Sequence, residues 1–321
     1  MSELARQVID GDRRALARAI TLVESTRDDH REEAESLLAE LLPHSGNAVR
    51  VGISGAPGAG KSTFIEALGL YLLEQGHHVA VLAVDPSSAR SGGSILGDKT
   101  RMEQLTRSGD AFVRPSPTSG TLGGVARRTR EAMVLCEGAG FDVVLVETVG
   151  VGQSETKVSG MVDAFVVVVA PGGGDELQGL KRGIMELADV VVVNKADGDL
   201  AAMARATAAD YASALHLVRP RDPGWSPRVL ICSALEATGV AETWHTVEEF
   251  RTILGNHLDS RRAEQARAWM WSEVTESLLD TLRADARLRR LTTRLEREVS
   301  AGRLAPTVAA RHIVEGFRTP S

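Results

Sequence analysis

The sequence predicts an α/β fold: a mostly parallel sheet covered by helices on both faces. Three observations predict it. Short β-branched runs alternate with helical stretches from Val49 to about Ala234, and such alternation builds a parallel sheet with helical crossovers. Gly55-Ala-Pro-Gly-Ala-Gly60-Lys61-Ser62 fits GxxxxGK[ST], the P-loop pattern. It stands between the strand-like run 49–54 and an amphipathic helical stretch, 61–75, so a strand feeds a Gly-rich turn that feeds a helix N-terminus. Backbone N–H groups and the helix dipole then converge where phosphates bind. The fold class expected is a P-loop NTPase sheet with an N-terminal helical extension and a C-terminal helical arm.

Along the chain, residues 3–42 carry apolar residues at helical spacing, with Asp10-Gly-Asp12 as a break and Pro43-His-Ser-Gly-Asn47 closing the stretch. Candidate strands follow at Val49–Ser54, Val79–Val84, Ala111–Arg114, Val143–Glu147, Phe165–Ala170, Val190–Val193 and Val229–Cys232. Several are unbroken Val/Ile/Leu runs, as strands buried on both sides require. Helices are expected at 246–258, at 261–299, a charged run without Gly or Pro, and at 305–317. The domains expected are 1–46, helical extension; 47–258, nucleotide-binding domain; and 259–321, helical arm.

Composition is that of a globular protein, with 43% hydrophobic and 25% charged residues in 321. A net charge of −6 argues against nucleic-acid or anionic-membrane partners. Cys136 and Cys232 are expected as buried apolar residues, without a disulfide framework. The first residues form no apolar signal segment, and the longest apolar run, 164–171, is too short to span a bilayer. A cytoplasmic protein is expected. His77-His78 is not a metal-site pattern, and no Cys/His cluster suggests a transition metal.

In open parallel sheets ligands bind beyond the carboxyl ends of the strands, and the polar motifs fall there. Ala56, Pro57, Gly58, Ala59 and Gly60, with Lys61, Ser62 and Thr63, make the expected phosphate cradle. Lys61 would reach the β- and γ-phosphates, and Ser62 would ligate Mg²⁺. Asn194-Lys195-Ala-Asp197 fits NKxD, the guanine-reading motif. The Asp197 carboxylate can accept from guanine N1–H and the exocyclic amine, whereas adenine presents an acceptor and no amine there. Lys195 would lie across the base and Asn194 would tie the loop. Ser233-Ala234-Leu235 follows the next strand, where a backbone N–H meets guanine O6. Glu147-Thr-Val-Gly150 stands in the place of DxxG, so Glu147 would face Mg²⁺ and Gly150 the γ-phosphate. Val151 occupies the slot of a water-orienting Gln, and Gln153 is displaced from it. Slow intrinsic hydrolysis is therefore expected. Asp85 and Asp98 frame a Gly-rich segment that suits a nucleotide switch, and Pro171–Gln178 is a third Gly-rich loop.

Together SGAPGAGKST, VDPSS, GGSILGDKTRM, RPSPTSGTLGGVA, FDVVLVETVGVGQSE, PGGGDELQGLKRGIMELAD and NKAD resemble the methylmalonyl-CoA mutase-associated GTPases. This is the MeaB family, formerly labelled ArgK or LAO/AO transport system kinase, and it includes the human methylmalonic-aciduria type A protein. The resemblance spans about Leu4 to Phe317. It implies a homodimeric G protein of the SIMIBI class that binds GTP or GDP with Mg²⁺ and carries no cobalamin itself. Its partner would be an adenosylcobalamin-dependent acyl-CoA mutase, whose cofactor loading and protection it gates. By the same resemblance Ser62, Asp85, Asp98 and Glu147 surround Mg²⁺, 85–101 and 147–155 are switches, and the C-terminal helices dimerise. Gly172, Gly173, Gly174, Asp175, Glu176, Gln178, Lys181 and Arg182 belong to the segment that couples nucleotide state to the mutase. Two other readings differ in class. A kinase of amino-acid transport would need a kinase catalytic loop and DFG, which are missing from the sequence, and a metal-insertion GTPase would need Cys/His ligands.

Overall fold

The computed structural model describes residues 1–25, 27–84, 102–115, 122–148, 154–172, 182–216, 220–222 and 224–318. Seven parallel strands form one sheet: β1 Val49–Ser54, β2 Val79–Val84, β3 Ala111–Arg114, β4 Val143–Thr148, β5 Ala164–Val169, β6 Val190–Val193 and β7 Arg228–Ile231. Their order is β3-β2-β4-β1-β5-β6-β7. Every expected strand is present, with ends moved by at most one residue at β4, β5 and β7.

Alternation along each strand divides the core into two layers. Val144, Val146, Phe165, Val167, Val191 and Val193 face one layer; Val143, Leu145, Val166, Val168, Val190 and Val192 face the other. Helices α1 Glu3–Ile9, α2 Arg13–Val23 and α3 Asp28–Leu41 cover the first layer with α6 Leu122–Gly138, α7 Ser154–Ser159, α8 Arg182–Met185 and α9 Ala201–Leu215. The opposite layer is covered by α4 Lys61–Glu74, α5 Glu103–Arg107 and α10 Val240–Leu254. The break expected at Asp10-Gly-Asp12 has a local cause: Asp12 caps α2, its carboxylate accepting from the N–H groups of Arg14 at 2.7 Å and Ala15 at 3.2 Å. The N-terminal helices are part of the same core, since Leu16, Ile20, Leu37 and Leu41 are buried with the sheet residues.

Two helical expectations are corrected. The helix expected at 246–258 is α10, which starts six residues earlier, at Val240, and stops at Leu254. Gly255, at φ +47°, ends it in a conformation that side chains resist, and α11 Asn256–Ala284 begins directly after. The single helix expected over 261–299 is two, α11 and α12 Ala286–Ser300. Asp285 is the reason: its carboxylate accepts from Arg287 N at 2.7 Å and Leu288 N at 3.2 Å, starting a new helix. The last helix, α13, covers Pro306–Arg318.

The chain divides into two compact units, Met1–Gln265 and Ala266–Ser321. In the second, α13 lies close on α12: Arg287 Nη2 donates to Gly316 O at 2.8 Å, and Leu288, Leu295 and Ala309 are buried. Met270, Trp271, Val274, Leu278, Leu279, Val314 and Phe317 are exposed on this unit. No described helix is long and apolar enough to cross a membrane.

Candidate functional site: the loops at the carboxyl ends of the strands

The P-loop runs from the end of β1, at the centre of the sheet, into α4. Lys61 is nine-tenths buried, and its Nζ donates to Gly55 O at 2.8 Å and Ala56 O at 3.1 Å. The ammonium is thus folded back over the loop that the helix N-terminus faces. At the first turn of α4, Ser62 Oγ donates to Glu147 Oε1 at 3.1 Å. Glu147 is buried at the end of β4. A hydroxyl and a carboxylate side by side at a phosphate loop are the oxygen donors a hard divalent cation takes. The two residues expected to share Mg²⁺ from β4 and the P-loop are therefore brought together.

Asn194 organises the rest of the site. It is buried just beyond β6, and its amide reaches two other loops. Nδ2 donates to Ala59 O at 3.1 Å and Gly60 O at 3.3 Å, while Oδ1 accepts from Ala234 N at 3.0 Å. Gly60 must be glycine for this: its φ is +87°, and a Cβ there would lie 2.6 Å from Asn194 Nδ2. Lys195 takes a left-handed conformation, φ +60°, uncommon for a residue with a side chain. Ser233 Oγ donates to Asp197 Oδ2 and accepts from Glu236 N, which fixes one carboxylate oxygen of Asp197. Ser233 and Thr238 pair as an antiparallel bridge, so residues 233–238 form a closed turn. Leu235 on that turn is exposed. The P-loop, 194–197 and 233–235 thus form one hydrogen-bonded assembly.

Other predicted residues stand apart. Gly172 lies at the margin of the described chain, its N–H donating to Thr207 Oγ1 at 3.2 Å. Arg182 begins α8. Asp85, Asp98, Gly150, Gln153, Gly173, Gly174, Asp175, Glu176, Gln178 and Lys181 lie outside the described residues. Among the described residues no His, Cys, Asp and Glu cluster could hold a metal by itself. A cleft of about 710 Å³ lies among the N-terminal helices, where Glu3, Glu24 and Glu33 mix with Arg18 and Arg128; it contains none of the motif residues.

Sequence reasoning missed two features. One is the pair Ser54 and Thr148, whose hydroxyls meet at 2.8 Å beneath the P-loop. The other lies at the amino ends of the strands. Asp163, fully buried before β5, receives Arg262 Nε at 2.8 Å, Arg262 Nη2 at 2.6 Å and the Arg50 N–H at 3.0 Å. Burial works against the Arg262 charge, but the hydrogen bonds and charge of Asp163 prevail and raise its pKa. Asp189, before β6, accepts from Phe165 N at 2.8 Å and lies 3.6 Å from Arg261. Burial lifts its pKa to about 6 despite that arginine. A signal existed: an Asp directly precedes each of two Val-rich strands, and Arg261-Arg262 opens a charged helix.

Comparisons with known proteins identify the family. The family model described as methylmalonyl Co-A mutase-associated GTPase MeaB matches residues 16–287. A probable GTPase of Mycobacterium tuberculosis is 57% identical over 97% of this chain and 94% of its own length. A mitochondrial methylmalonic aciduria type A homolog of Mus musculus is 50% identical over 97% of this chain and 78% of its own. GTPase ArgK of Escherichia coli is 47% identical over 99% and 97%. A crystal structure titled LAO/AO transport system kinase superposes with a TM-score of 0.78 at 41% identity, covering 99% of this chain and 97% of that one. This chain belongs to the methylmalonyl-CoA mutase-associated GTPases, and it is a P-loop GTPase.

Proposed function

We propose that this GTPase is a chaperone of an adenosylcobalamin-dependent acyl-CoA mutase, methylmalonyl-CoA mutase in the first instance, gating its cofactor loading and protecting it. The observation that carries the reading is the match of the mutase-associated family model over residues 16–287, which takes in the nucleotide loops and reaches past the end of α11. The chain binds no cobalamin itself in this reading. It works in the cytoplasm as a homodimer joined by the C-terminal helices, whose exposed Trp271, Leu278 and Leu279 suit a second copy. Light scattering on a chain cut after Gln265 tests the dimer; an unchanged oligomer would contradict it.

At the nucleotide, Asp197 reads guanine N1–H and the exocyclic amine, and its bond from Ser233 leaves the carboxylate oriented for both. Asn194 sets the distance between base and phosphate loops, Lys195 lies along the base, and the 234–235 backbone serves O6. Residues 56–63 hold the phosphates, with Lys61 supplying the positive charge that balances them. Ser62 and Glu147 fit Mg²⁺ by the chemistry of their oxygens and their 3.1 Å separation, with Asp85 and Asp98 completing the set. When bound, the cation neutralises charge on the phosphates. Glu147, Gly150 and Gln153 would attend the γ-phosphate. Val151 cannot orient a water, so the mutase, docking on 172–182, favours the hydrolytic arrangement of the loops.

The test is steady-state GTP turnover with and without the cognate mutase, for the wild type, Asp175→Ala and Lys181→Ala. Stimulation of the wild type alone, with GTP binding kept in both variants, is expected. No stimulation of the wild type, or equal stimulation of all three, would overturn the partner reading.

A further inference from the structure

Two serines bracket the P-loop. Ser54 directly precedes Gly55, and Ser62 directly follows Lys61. Their hydroxyls meet consecutive residues of β4: Ser62 Oγ donates to Glu147 Oε1 at 3.1 Å, and Thr148 Oγ1 donates to Ser54 Oγ at 2.8 Å. Successive side chains of a strand leave on opposite faces. Ile53 pairs with Glu147 in the ladder, so Ser54 and Thr148 come next to each other on the other face. The carboxyl end of β4 is therefore gripped from both sides by the two residues that flank the phosphate loop.

Packing alone does not call for the Ser54–Thr148 pair. Both residues are 0% exposed, and their layer is apolar: a Cβ on nearby Gly52 would meet Phe165, Val158 and Val162. Buried hydroxyls in such a layer cost stability unless each finds a partner, and Ala with Val would fill the space without that cost. What the hydroxyls add is direction. A hydrogen bond fixes how far β4 stands from the root of the P-loop and which way its last residues turn.

We propose that Ser54 and Thr148 are positioning residues for GTP hydrolysis: their hydrogen bond sets the end of β4 against the P-loop root and so holds the Glu147 carboxylate on Ser62. The proposal rests on the reading of Ser62 and Glu147 as cation ligands, and its test separates the two. Partners that orient a ligating carboxylate act on metal affinity, by about tenfold or more when removed.

The experiment titrates Mg²⁺ into each protein with fluorescent GDP at equilibrium and reads the half-saturating Mg²⁺ concentration. Turnover and melting temperature of the nucleotide-free protein are followed alongside. The proteins are the wild type, Glu147→Gln, Ser54→Ala, Thr148→Val, the Ser54→Ala/Thr148→Val pair and Thr148→Ser. Ser54→Ala and Thr148→Val are expected to raise half-saturation about tenfold and to lower kcat more than they change KM. The double variant should be no worse than either single one, because both remove the same bond. Thr148→Ser, which keeps the hydroxyl, should return close to the wild type. Thr148→Val is nearly isosteric, so it reports even if Ser54→Ala folds poorly. An unchanged Mg²⁺ dependence in Glu147→Gln would overturn the ligand reading itself. A shift in Glu147→Gln with none in Thr148→Val, or equal losses in Thr148→Ser and Thr148→Val, would overturn the positioning role alone.

Discussion

The two ends of the β-sheet solve different problems with the same strands. At the carboxyl ends, neutral or singly charged groups meet across short hydrogen bonds between loops: Asn194 to Ala59, Gly60 and Ala234, Ser62 to Glu147, Thr148 to Ser54. At the amino ends, buried carboxylates lie under arginines, Asp163 under Arg262 and Asp189 beside Arg261. The first arrangement holds the P-loop, 194–197 and 233–235 together, with the Lys61 ammonium folded over the P-loop carbonyls. The second ties the start of α11 to β5 and β6 through Asp163 and Asp189, and to the start of β1, because Arg262 also donates to Ala48 O at 2.7 Å and to Gly46 O. The carboxyl ends are joined mainly by hydrogen bonds to hydroxyl, amide and backbone groups, and the amino ends by carboxylate–arginine pairs. Variants at the amino end should therefore cost stability and spare specificity, and variants at the carboxyl end should do the reverse.

The largest effect on stability is expected at Asp163. Asp163→Ala removes a fully buried carboxylate and leaves the half-buried Arg262 without its counter-charge, and should cost roughly 3–5 kcal/mol in urea unfolding. GDP affinity of the folded fraction should hold. A loss below about 1 kcal/mol, the range of surface pairs, would show that the clamp is ornamental.

Lys61→Ala is the counterpart at the other end. Removing the cation aimed at the phosphates should lower GTP turnover by about 10²-fold or more. The unfolding midpoint should stay close to that of the wild type. Unchanged turnover would make the P-loop a structural turn.

Asp189 offers a pH test of the amino end. Its folded pKa, about 6, lies above the ordinary 3.8, so the native state favours the protonated acid. Its contribution to stability is fully present below about 3.8 and is lost as pH rises through about 6, a span worth on the order of 3 kcal/mol. Asp189→Asn stays neutral throughout. Its stability relative to the wild type should therefore rise from pH 4 to 7 in paired urea titrations, and a flat difference would contradict the burial argument.

The same contrast explains what was legible in the sequence. Strands reveal themselves by uninterrupted Val runs, and loops that bind phosphate or guanine need particular residues at fixed local spacing, as in 55–62 and 194–197. Local rules also cover Asp285 and Gly255, a helix cap and a helix stop, yet the Arg/Glu/Leu pattern around them outweighs one residue in any periodicity count. Contacts between residues far apart in sequence leave no such local trace. Arg262 reaches Asp163 across 99 positions and Thr148 reaches Ser54 across 94, so neither pairing can be read from spacing. A truncation at Asp259 would remove Arg261 and Arg262 from the clamp, which is why a cut after Gln265 suits the first unit.

The assembly of Asn194, Asp197 and Ser233 with the P-loop is tested most directly by calorimetry of GDP, ADP and XDP in the presence of Mg²⁺. The wild type should prefer GDP over ADP by at least about 10²-fold, since adenine would leave buried polar groups unpaired. Asp197→Asn should move that preference toward XDP, whose ring carbonyl complements the new amide. Equal GDP and ADP affinities in the wild type would contradict the account.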